Sequence, residues 1–441
     1  MQEKQRQVLE KIFLAGLRAV DPEQAVRKYV QRIGNKLHVA DRAYDLDAFT
    51  GVTLVGAGKG TAPMAKALED LLGDYLTAGC ITVKYGHALS LRKTKVIEAG
   101  HPIPDEAGLE GTEEILQLAH RCSEKDLLIC AFSGGGSALL VAPNNAISLP
   151  QKQATTRSLL ESGATIDEIN AVRKHLSRVK GGGLAKAAYP ATVISLILSD
   201  VVDDRLDVIA SGPTAPDFTT FQDCVTILQK YGLSQRLPPE ILEVFEDGVD
   251  GRLMETAKAK DVVFSRVQNL IVGSNKAALI AAGGEARSAG YNTLILSSRI
   301  QGEAKEVAKV IVAVAKEVQQ AAISISPPAC VLAGGETTVT IRGDGKGGRN
   351  QELALSAAMA LEGWNDISLL SAGTDGTDGP TDAAGAFADG STCHRARKIG
   401  LDPFDYLARN DSYNLFDQTG DLLKTGPTRT NVMDLICVLI E

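Results

Sequence analysis

The sequence has no apolar run approaching the about 20 residues that a transmembrane helix requires, so no membrane-spanning segment is predicted. Its first twenty residues carry charges throughout and contain no apolar core, so no secretory signal is expected. Basic residues are in deficit, because 46 Lys and Arg stand against 54 Asp and Glu, for a net charge of −8. Proteins that bind nucleic acids or anionic membranes typically carry a basic surplus. We therefore expect a cytoplasmic protein whose partners are small molecules, without nucleic-acid or membrane partners.

Motifs of several enzyme classes are missing as well. The seven cysteines are scattered and form no C-x-x-C pair, which predicts buried, reduced thiols instead of disulfides. The six histidines show no metal-ligand spacing, so a zinc site is not expected. No G-x-S-x-G sequence occurs, which argues against the nucleophile elbow of the α/β-hydrolases.

The chain does contain a repeated pattern, in which a short apolar run ends abruptly in Gly, Ser, Thr, Asn or Asp. The runs are VTLV (52–55), LLICAF (127–132), TVISLIL (192–198), LIV (270–272), ACVLA (329–333) and ISLLSA (367–372). Runs that are apolar throughout are typical of strands covered on both faces, and helical patterns between them predict parallel sheets. Ligands of such sheets bind at the carboxyl ends of the strands, where the polar clusters lie.

The predicted fold class is therefore α/β, with two domains that are each a mostly parallel sheet flanked by helices. A chain of 441 residues with 44% hydrophobic residues can form two or three cores. The segment at about 235–265 is rich in Pro, Gly and charge and lacks strand character, which makes it the predicted boundary. We predict an N-terminal domain at 1–240 and a C-terminal domain at 241–441.

The first glycine turn, GAGKGT at 56–61, follows a strand and precedes a helical pattern. Backbone N–H groups at such a helix start favour anions, and Lys59 beside Gly58 adds a point cation suited to carboxylate or phosphate. The turn is not a dinucleotide fingerprint, because Thr61 replaces the third glycine, and the Walker A spacing is absent. The alternative is an exposed lysine in a tight turn.

A second glycine-rich turn, SGGGS, is a candidate phosphate cradle. Consecutive glycines let the backbone approach a ligand closely and present its N–H groups. Simple turn formation is the alternative. The candidate residues are Ser133, Gly134, Gly135, Gly136 and Ser137.

The helical stretch NAVRKHLSRVKGGG at 170–183 is a local basic surface in an acidic protein, able to neutralise a triphosphate. The alternative is that its cations complement the dipole at a helix end that glycine then terminates. The candidate nucleotide ligands are Asn170, Arg173, His175, Lys180 and Gly181.

Acidic clusters follow two other apolar runs. SDVVDD at 199–204 supplies Asp200, Asp203 and Asp204, hard oxygen ligands of the kind that Mg²⁺ takes together with substrate phosphates. TDGTDGPTDAAG at 374–385 supplies Asp375, Asp378 and Asp382 with interleaved glycines and departs from the EF-hand pattern. For any single aspartate the alternative is a turn or a helix N-cap.

Two glycine-rich turns flank a predicted short strand, TVTIR. GGETT at 334–338 supplies Glu336, and GGRNQE at 347–352 supplies Arg349 and Asn350. An arginine in such a turn can clamp phosphate or carboxylate through two parallel hydrogen bonds.

Together, these segments resemble the class II glycerate kinases, whose C-terminal half is the MOFRL domain. The matching segments are VGAGKGTAPMA, EAGHPIPDE, FSGGGSALL, INAVRKHLSRVKGGGLA, LILSDVVDD, IASGPTAPD, GGETTVTIRGDGKGGRNQELAL, GTDGTDGPTDAAGA and GPTRTNVMDL. The resemblance implies two α/β domains, the first Rossmann-like, with the active site in the cleft between them. It also implies phosphoryl transfer from ATP to D-glycerate, giving 2-phosphoglycerate and ADP, with Mg²⁺.

The resemblance extends to single residues. The lysine of the family's first glycine turn falls on Lys59, and the arginine of GGRNQE falls on Arg349. Asn431, in GPTRTNVMDL, is a further candidate contact for substrate or nucleotide. Because SDVVDD is one residue shorter than the family's run, either Asp203 or Asp204 takes the family's acidic role.

The mechanistic hypothesis assigns positioning and charge stabilisation to these groups. Lys59 and Arg349 would bind the glycerate carboxylate or the transferring phosphoryl group, while the SGGGS turn and the basic stretch cradle the ATP phosphates. Asp200 with one of the two following aspartates would hold Mg²⁺. Asp375 or Asp378 is the candidate base for the substrate hydroxyl.

A monomer or small homo-oligomer is expected. Two alternative functions are compatible with the sequence. Some members of the family are called hydroxypyruvate reductases, and an NAD(P)H-dependent reductase requires a dinucleotide site that the broken fingerprint argues against. The other alternative is a non-catalytic sensor of a sugar acid or nucleotide. Clustered carboxylates at strand ends are costly for binding alone, which disfavours this alternative.

Overall fold

The computed structural model describes residues 1–321 and 325–441. The strands are β1 (Val30–Ile33), β2 (Lys36–Val39), β3 (Arg42–Asp45), β4 (Gly51–Ala57), β5 (Leu76–Lys84), β6 (Thr94–Ala99), β7 (Asp126–Phe132), β8 (Thr192–Leu198), β9 (Val267–Gly273), β10 (Asn292–Glu303), β11 (Ala329–Thr338), β12 (Ile367–Gly373), β13 (Gly385–Asp389), β14 (Leu422–Leu423) and β15 (Asp434–Ile440). The helices are α1 (Glu3–Ala19), α2 (Pro22–Tyr29), α3 (Thr61–Leu72), α4 (Glu106–Arg121), α5 (Gly136–Leu139), α6 (Leu149–Glu161), α7 (Ile166–His175), α8 (Gly183–Ala188), α9 (Phe221–Lys230), α10 (Pro239–Val249), α11 (Asn275–Ser288), α12 (Ala304–Ala321), α13 (Arg349–Ala360), α14 (Thr392–Lys398), α15 (Pro403–Ala408) and α16 (Ser412–Thr419).

The chain forms two compact units, one of Pro22–Val272 and one of Met1–Asp21 with Gly273–Glu441. Both are built from sheets and helices, which confirms the predicted α/β class. The division differs from the predicted domains 1–240 and 241–441 at both ends of the first domain.

Helix α1 belongs to the unit that contains the C-terminal half of the chain. Its buried stripe includes Leu9, Ile12 and Phe13. A Cβ atom at Gly16 would lie 2.9 Å from the Leu435 Cδ1 atom, so the helix approaches β15 closely. An amphipathic pattern predicts a buried face, but it does not indicate which core that face joins.

Residues 241–272 belong to the first unit because their buried side chains pack against it. Helix α10 buries Ile241, Val244 and Phe245 in a cluster that α7 and α9 share. Strand β9 then forms the edge of the first sheet. The Pro- and charge-rich composition that predicted a boundary thus belongs to a short amphipathic helix and its connections.

The first unit contains a six-stranded sheet in the order β6–β5–β4–β7–β8–β9. Strand β4 pairs in parallel with β5 and β7, β5 with β6, and β7 with β8, as predicted. The chain proceeds from β4 outward to β6 and then crosses back to β7, so strand order reverses between β4 and β7. Ligands of open α/β sheets bind at such a switch point. A separate antiparallel sheet contains β1, β2 and β3.

The second unit contains a six-stranded sheet in the order β10–β11–β15–β12–β13–β14. Only the β10–β11 pairing among those described is parallel, which corrects the expectation of a second mostly parallel sheet. An apolar run indicates that both faces of a strand are covered, but it does not indicate the direction of that strand relative to its neighbours. Leu435 lies against α1, whereas the next residue, Ile436, packs in the cluster that contains α12 and α13.

Two smaller expectations concern cysteines and membrane spans. All seven cysteines are free thiols, and six of them are buried, as predicted. Among the residues that the structure describes, none of the helices combines the length and apolar character needed to cross a bilayer.

Replacing Phe13 by alanine tests the assignment of α1 to a core. Phe13 is fully buried, so Phe13→Ala should lower the free energy of unfolding by about 3–5 kcal/mol through lost burial and a residual cavity. Urea unfolding measures the effect. Lys11→Ala, at an exposed position of the same helix, should stay within about 0.5 kcal/mol of the unchanged protein. Equal stability of both variants would show that α1 contributes no core packing.

Candidate active site

The two glycine turns at the switch point interlock. The backbone N–H of Lys59 donates to the carbonyl of Gly134 at 2.8 Å, and the N–H of Gly60 donates to the Ser133 hydroxyl oxygen at 2.9 Å. A Cβ atom at Gly58 would lie 2.2 Å from that hydroxyl oxygen, so only glycine permits this approach. Ser133 therefore joins the two turns and caps the start of α3. The contact fixes the half-buried Lys59 at the carboxyl edge of the sheet.

His101 is a neighbour of these turns that the predicted site did not include. A Cβ atom at Gly135 would lie 3.0 Å from the His101 Nε2 atom and 3.4 Å from the Lys59 Cγ atom. Burial lowers the pKa of His101 to about 4, and the charge of Lys59 adds to the effect. The imidazole is therefore neutral at neutral pH and offers one donor and one acceptor beside Lys59.

A second contact joins the SGGGS turn to the turn at 209–212. The hydroxyl groups of Ser137 and Ser211 lie 2.9 Å apart, and Ser211 donates to the Asn170 side-chain oxygen at 3.4 Å. Ala210 and Ser211 have φ values of 50° and 61°, a left-handed conformation that costs non-glycine residues about 1–3 kcal/mol each. Packing maintains this strained turn, because the N–H of Gly181 donates to the Ser211 carbonyl at 3.0 Å.

Two buried lysines, Lys152 and Lys180, and the half-buried Arg173 lie beside Ser137, and these three are called the buried cations below. Lys180 Nζ donates to the Ser137 carbonyl at 2.7 Å, and Lys152 Nζ donates to the carbonyls of Arg173 and Leu176 at 2.9 and 2.7 Å. Burial, and then the charge of Arg173, lowers the pKa of both lysines well below the ordinary lysine range. Burial also lowers the pKa of Arg173. None of the three forms an ion pair with an acid among residues 1–321 and 325–441.

The buried cations line one cavity of about 370 Å³ together with Ser137. Removing a charge from water without a counter-charge costs several kcal/mol, so such a cluster points to an anion that supplies the missing charge. Arg173 and Lys180 were predicted, but Lys152 was not. It lies inside the polar helix α6, where a lysine normally marks the solvent face and gives no signal of burial.

Two other predicted ligands in this stretch, His175 and Gly181, make contacts within the protein instead. His175 is fully buried at its side chain, with Nδ1 at 2.8 Å from the Ala171 carbonyl and Nε2 at 3.1 Å from a Glu255 carboxylate oxygen. No ring nitrogen is open to a ligand. The N–H of Gly181 is taken by Ser211, so this glycine shapes the neighbouring turn.

The second unit presents an acidic cluster at the start of α13. Asp378 accepts the backbone N–H groups of Asn350 at 3.1 Å and Gln351 at 2.8 Å. Burial raises the pKa of Asp378 to about 7, and the charge of Asp434 adds to the rise against the two N–H groups. A carboxyl group with this pKa can both hold and release a proton near neutral pH.

Arg349 is clamped by two carboxylates. Its Nε and Nη2 donate to the two oxygens of Asp434 at 2.6 and 3.0 Å, and its Nη1 donates to Glu336 at 2.9 Å. Burial acts to lower the pKa of Arg349, but the charge and hydrogen bonds of Asp434 outweigh it and raise that pKa. These bonds use three of the five guanidinium N–H groups, which leaves two for a ligand.

Asp434 was not predicted, although it organises this cluster. Besides Arg349, it accepts a hydrogen bond from the Asn350 side chain at 3.0 Å, and the Ser371 hydroxyl holds the other end of that amide at 2.7 Å. Asp434 is 4% exposed. A carboxylate directly before the apolar run LICVLI is the signal that could have indicated it.

A cavity of about 590 Å³ lies over this cluster, lined by Arg349, Glu352, Asp375 and Asp378. Asp375 accepts hydrogen bonds from the N–H and the hydroxyl of Thr377, both at 3.1 Å. These contacts are typical of an aspartate that stabilises a turn. Asn431, which the sequence also predicted, accepts the N–H of Met433 at 3.1 Å and is not among the lining residues.

The predicted magnesium ligands lie in the turn after β8. Asp203 and Asp204 have positive φ values of 67° and 52°, which aspartate tolerates better than most residues. Within residues 1–321 and 325–441, no group of three His, Cys, Asp or Glu residues could hold a metal ion. Mg²⁺ usually takes only one or two carboxylates and completes its shell with phosphate and water, so Asp200 with one neighbour remains compatible.

Two family models match the chain, a domain of unknown function (DUF4147) over residues 8–246 and the MOFRL family over residues 329–434. The chain is 43% identical over 430 residues to the D-glycerate 2-kinase of Thermotoga maritima, with 97% of each chain covered. It is 40% identical to a putative hydroxypyruvate reductase of Agrobacterium vitis, covering 99% of this chain and 94% of that protein. The crystal structure of a glycerate kinase from Thermotoga maritima matches at a TM-score of 0.88 and 41% identity, covering 100% of both chains. The chain belongs to the MOFRL glycerate kinase family.

The family matches include both clusters. Lys59 and the three buried cations lie in the first matched region, and the acidic cluster lies in the MOFRL region, whose last matched residue is Asp434. The first region ends near the predicted domain boundary at 240, whereas the compact unit continues to Val272.

The raised pKa of Asp378 predicts a pH-dependent cost of folding. An unperturbed aspartate titrates near 3.8, and Asp378 titrates at about 7, so the folded chain binds the extra proton between these values. The free energy of unfolding of the unchanged protein, relative to Asp378→Asn, should fall as the pH rises from 4 to 7. The expected fall is up to about 4 kcal/mol.

Urea unfolding of both proteins between pH 4 and pH 8 measures this difference. Loss of one acceptor oxygen gives the variant a constant offset, which leaves the pH dependence as the diagnostic quantity. A difference that does not change with pH would show that Asp378 is already ionised at pH 4 in the folded protein.

Proposed function

We propose that the protein transfers the γ-phosphoryl group of ATP to the 2-hydroxyl of D-glycerate, giving 2-phosphoglycerate and ADP, with Mg²⁺ as the required cation. The coarser activity, that of a glycerate kinase and hence of a phosphotransferase with an alcohol acceptor, rests on the family and the near full-length identity. The structural observation that carries the proposal is the group of buried cations, Lys152, Arg173 and Lys180, which have no acidic partner within the described part of the chain and suit a polyphosphate.

Phosphoryl transfer needs positioned reactants and stabilised charge more than covalent chemistry from the protein. The two remaining N–H groups of Arg349 can bind the glycerate carboxylate or the transferring phosphoryl group in a fork geometry. Lys59 supplies a second cation for the same class of group. A pKa of about 7 suits Asp378 for taking the hydroxyl proton, and Asp375 is the other candidate in the same cavity.

The proposed magnesium ion would be held by Asp200 with Asp203 or Asp204. Bound to nucleotide phosphates, Mg²⁺ neutralises part of their charge. The carboxyl end of β8 places these aspartates on the edge of the sheet at which the glycine turns lie.

The geometry of the first glycine turn disfavours the reductase alternative. A dinucleotide site presents free N–H groups at a helix start to the pyrophosphate. Here the N–H of Gly60 bonds to Ser133, and the buried Thr61, with its hydroxyl 3.1 Å from that of Ser133, fills the place of the third glycine. The turn is therefore occupied by protein contacts.

Steady-state kinetics with ATP and D-glycerate test the proposal. Lys59→Ala and Arg349→Ala should each lower kcat/KM by roughly 100-fold or more, because each removes a positioned charge. Arg349→Lys should be nearly as impaired, since a lysine lacks the fork that Asp434 and the ligand share. Arg92→Ala, at an exposed surface ion pair, should behave like the unchanged protein.

The identity of the product tests the proposed reaction, and the kinetics of the variants test the proposed site. Glycerate-dependent ADP formation together with a 2-phosphate in the phosphorus NMR spectrum supports the reaction, whereas a 3-phosphate contradicts the stated product. If Lys59→Ala and Arg349→Ala both retain near-normal kcat/KM, the site is wrongly assigned.

The magnesium ligands have their own test. Asp200→Asn should raise the Mg²⁺ concentration for half-maximal activity by about 10-fold, because one anionic ligand becomes neutral. Asp247→Asn, which removes a surface partner of Arg252, is the matched control. An unchanged Mg²⁺ requirement in Asp200→Asn would remove this residue from the metal site.

A further inference from the structure

The cavity that contains the buried cations has a second, apolar end. Ile103, Leu160 and Ile166 line it and remain 63%, 61% and 58% exposed. Single exposed apolar residues are ordinary, but three from separate segments around one cavity form a binding surface. The cavity volume of about 370 Å³ falls within the roughly 300–1,000 Å³ range of small-molecule sites.

Two helices run from one end of the cavity to the other. On α6, Lys152, Thr156 and Leu160 follow one another at intervals of four residues, so they share a face. At 1.5 Å per residue, this face separates the cation from the apolar residue by about 12 Å. On α7, Ile166 and Arg173 also lie about two turns apart, so this helix too separates an apolar residue from a cation along the cavity.

The cavity therefore has a cationic end, a polar middle and a mainly apolar end, and the exposed Arg157 of α6 also lines it. A nucleotide has the same sequence of parts, with a polyphosphate, a sugar and a flat base. Thr156 donates its hydroxyl to the Lys152 carbonyl at 3.0 Å, and its oxygen can still accept a hydrogen bond. Aliphatic side chains can cover the face of a base without selecting its edge groups.

We infer that this cavity holds the nucleoside triphosphate, with its polyphosphate on Lys152, Arg173 and Lys180 and its base between Ile103 and Leu160. This inference rests on the proposed function, because it assigns the phosphoryl donor of that reaction to one cavity. It adds Lys152 and the apolar residues, which no sequence motif indicated, to the site.

Separating the contributions of base and phosphates tests the inference. Isothermal titration would compare ATP with inorganic tripolyphosphate, both with Mg²⁺, on the full chain. The double variant Ile103→Asn/Leu160→Asn should weaken ATP binding about 10-fold and leave tripolyphosphate binding within about twofold, since it alters only contacts to the base. Phe218→Asn, at a 71% exposed apolar position outside the cavity, is the matched control.

The cationic end calls for a second comparison. Lys152→Met should weaken ATP and tripolyphosphate alike, by about 10-fold or more, because it removes a charge that faces the phosphates. Arg173→Gln, at a less buried position, provides the same comparison if Lys152→Met fails to fold, as judged by its thermal unfolding.

The outcomes distinguish this inference from the proposed function. Unchanged ATP affinity in the double asparagine variant, or an equal loss for ATP and tripolyphosphate, overturns the inference even when the unchanged protein phosphorylates glycerate. Absence of glycerate-dependent ADP formation overturns the proposed function, whereas selective loss of ATP binding in the same variant still supports the inference.

Discussion

The strongest constraint on the first unit is a group of cations with no acidic partner among residues 1–321 and 325–441. Lys152, Arg173 and Lys180 lie together in a chain whose net charge is −8, so acids are abundant elsewhere. Backbone carbonyls of Arg173, Leu176 and Ser137 supply partial compensation, including the negative end of the α7 dipole. Carbonyl dipoles do not replace a full counter-charge. Burial of these cations is therefore costly, and an anion that binds in the cavity would stabilise the folded chain.

The second unit shows the opposite balance of charge. The half-buried cation Arg349 is surrounded by an excess of acid from Asp434, Asp378 and Glu336. This excess, together with burial, keeps the pKa of Asp378 near neutrality. One unit thus favours a polyanion, and the other favours a proton, a hydroxyl group or a carboxylate held by Arg349. Transfer of a phosphoryl group to an alcohol requires both kinds of environment.

The sequence predicted those parts of the molecule that depend on local pattern. Strands that end in glycine turns indicated the parallel first sheet and the SGGGS turn that follows one of its strands. Asp434 was missed because its partner, Arg349, is 85 residues away, and only the fold brings the pair together. Lys152 was missed because burial of a polar helix is a tertiary property. The mixed second sheet escaped prediction because C-terminal β15 inserts between β11 and β12, a pairing that no local pattern encodes.

Glycine motifs that suggest ligand loops also serve protein packing here. A Cβ atom at Gly136 would lie 2.8 Å from the Cβ atom of Ala210, and one at Gly348 would lie 2.3 Å from the Asp378 carboxyl carbon. In both cases the missing side chain makes room for another turn of the same site. The turns are therefore held against each other before any ligand arrives, and a positioned charge needs this rigidity to favour a transition state. Because a side chain at either glycine would meet the neighbouring turn, a substitution there would displace that turn and the residues it holds.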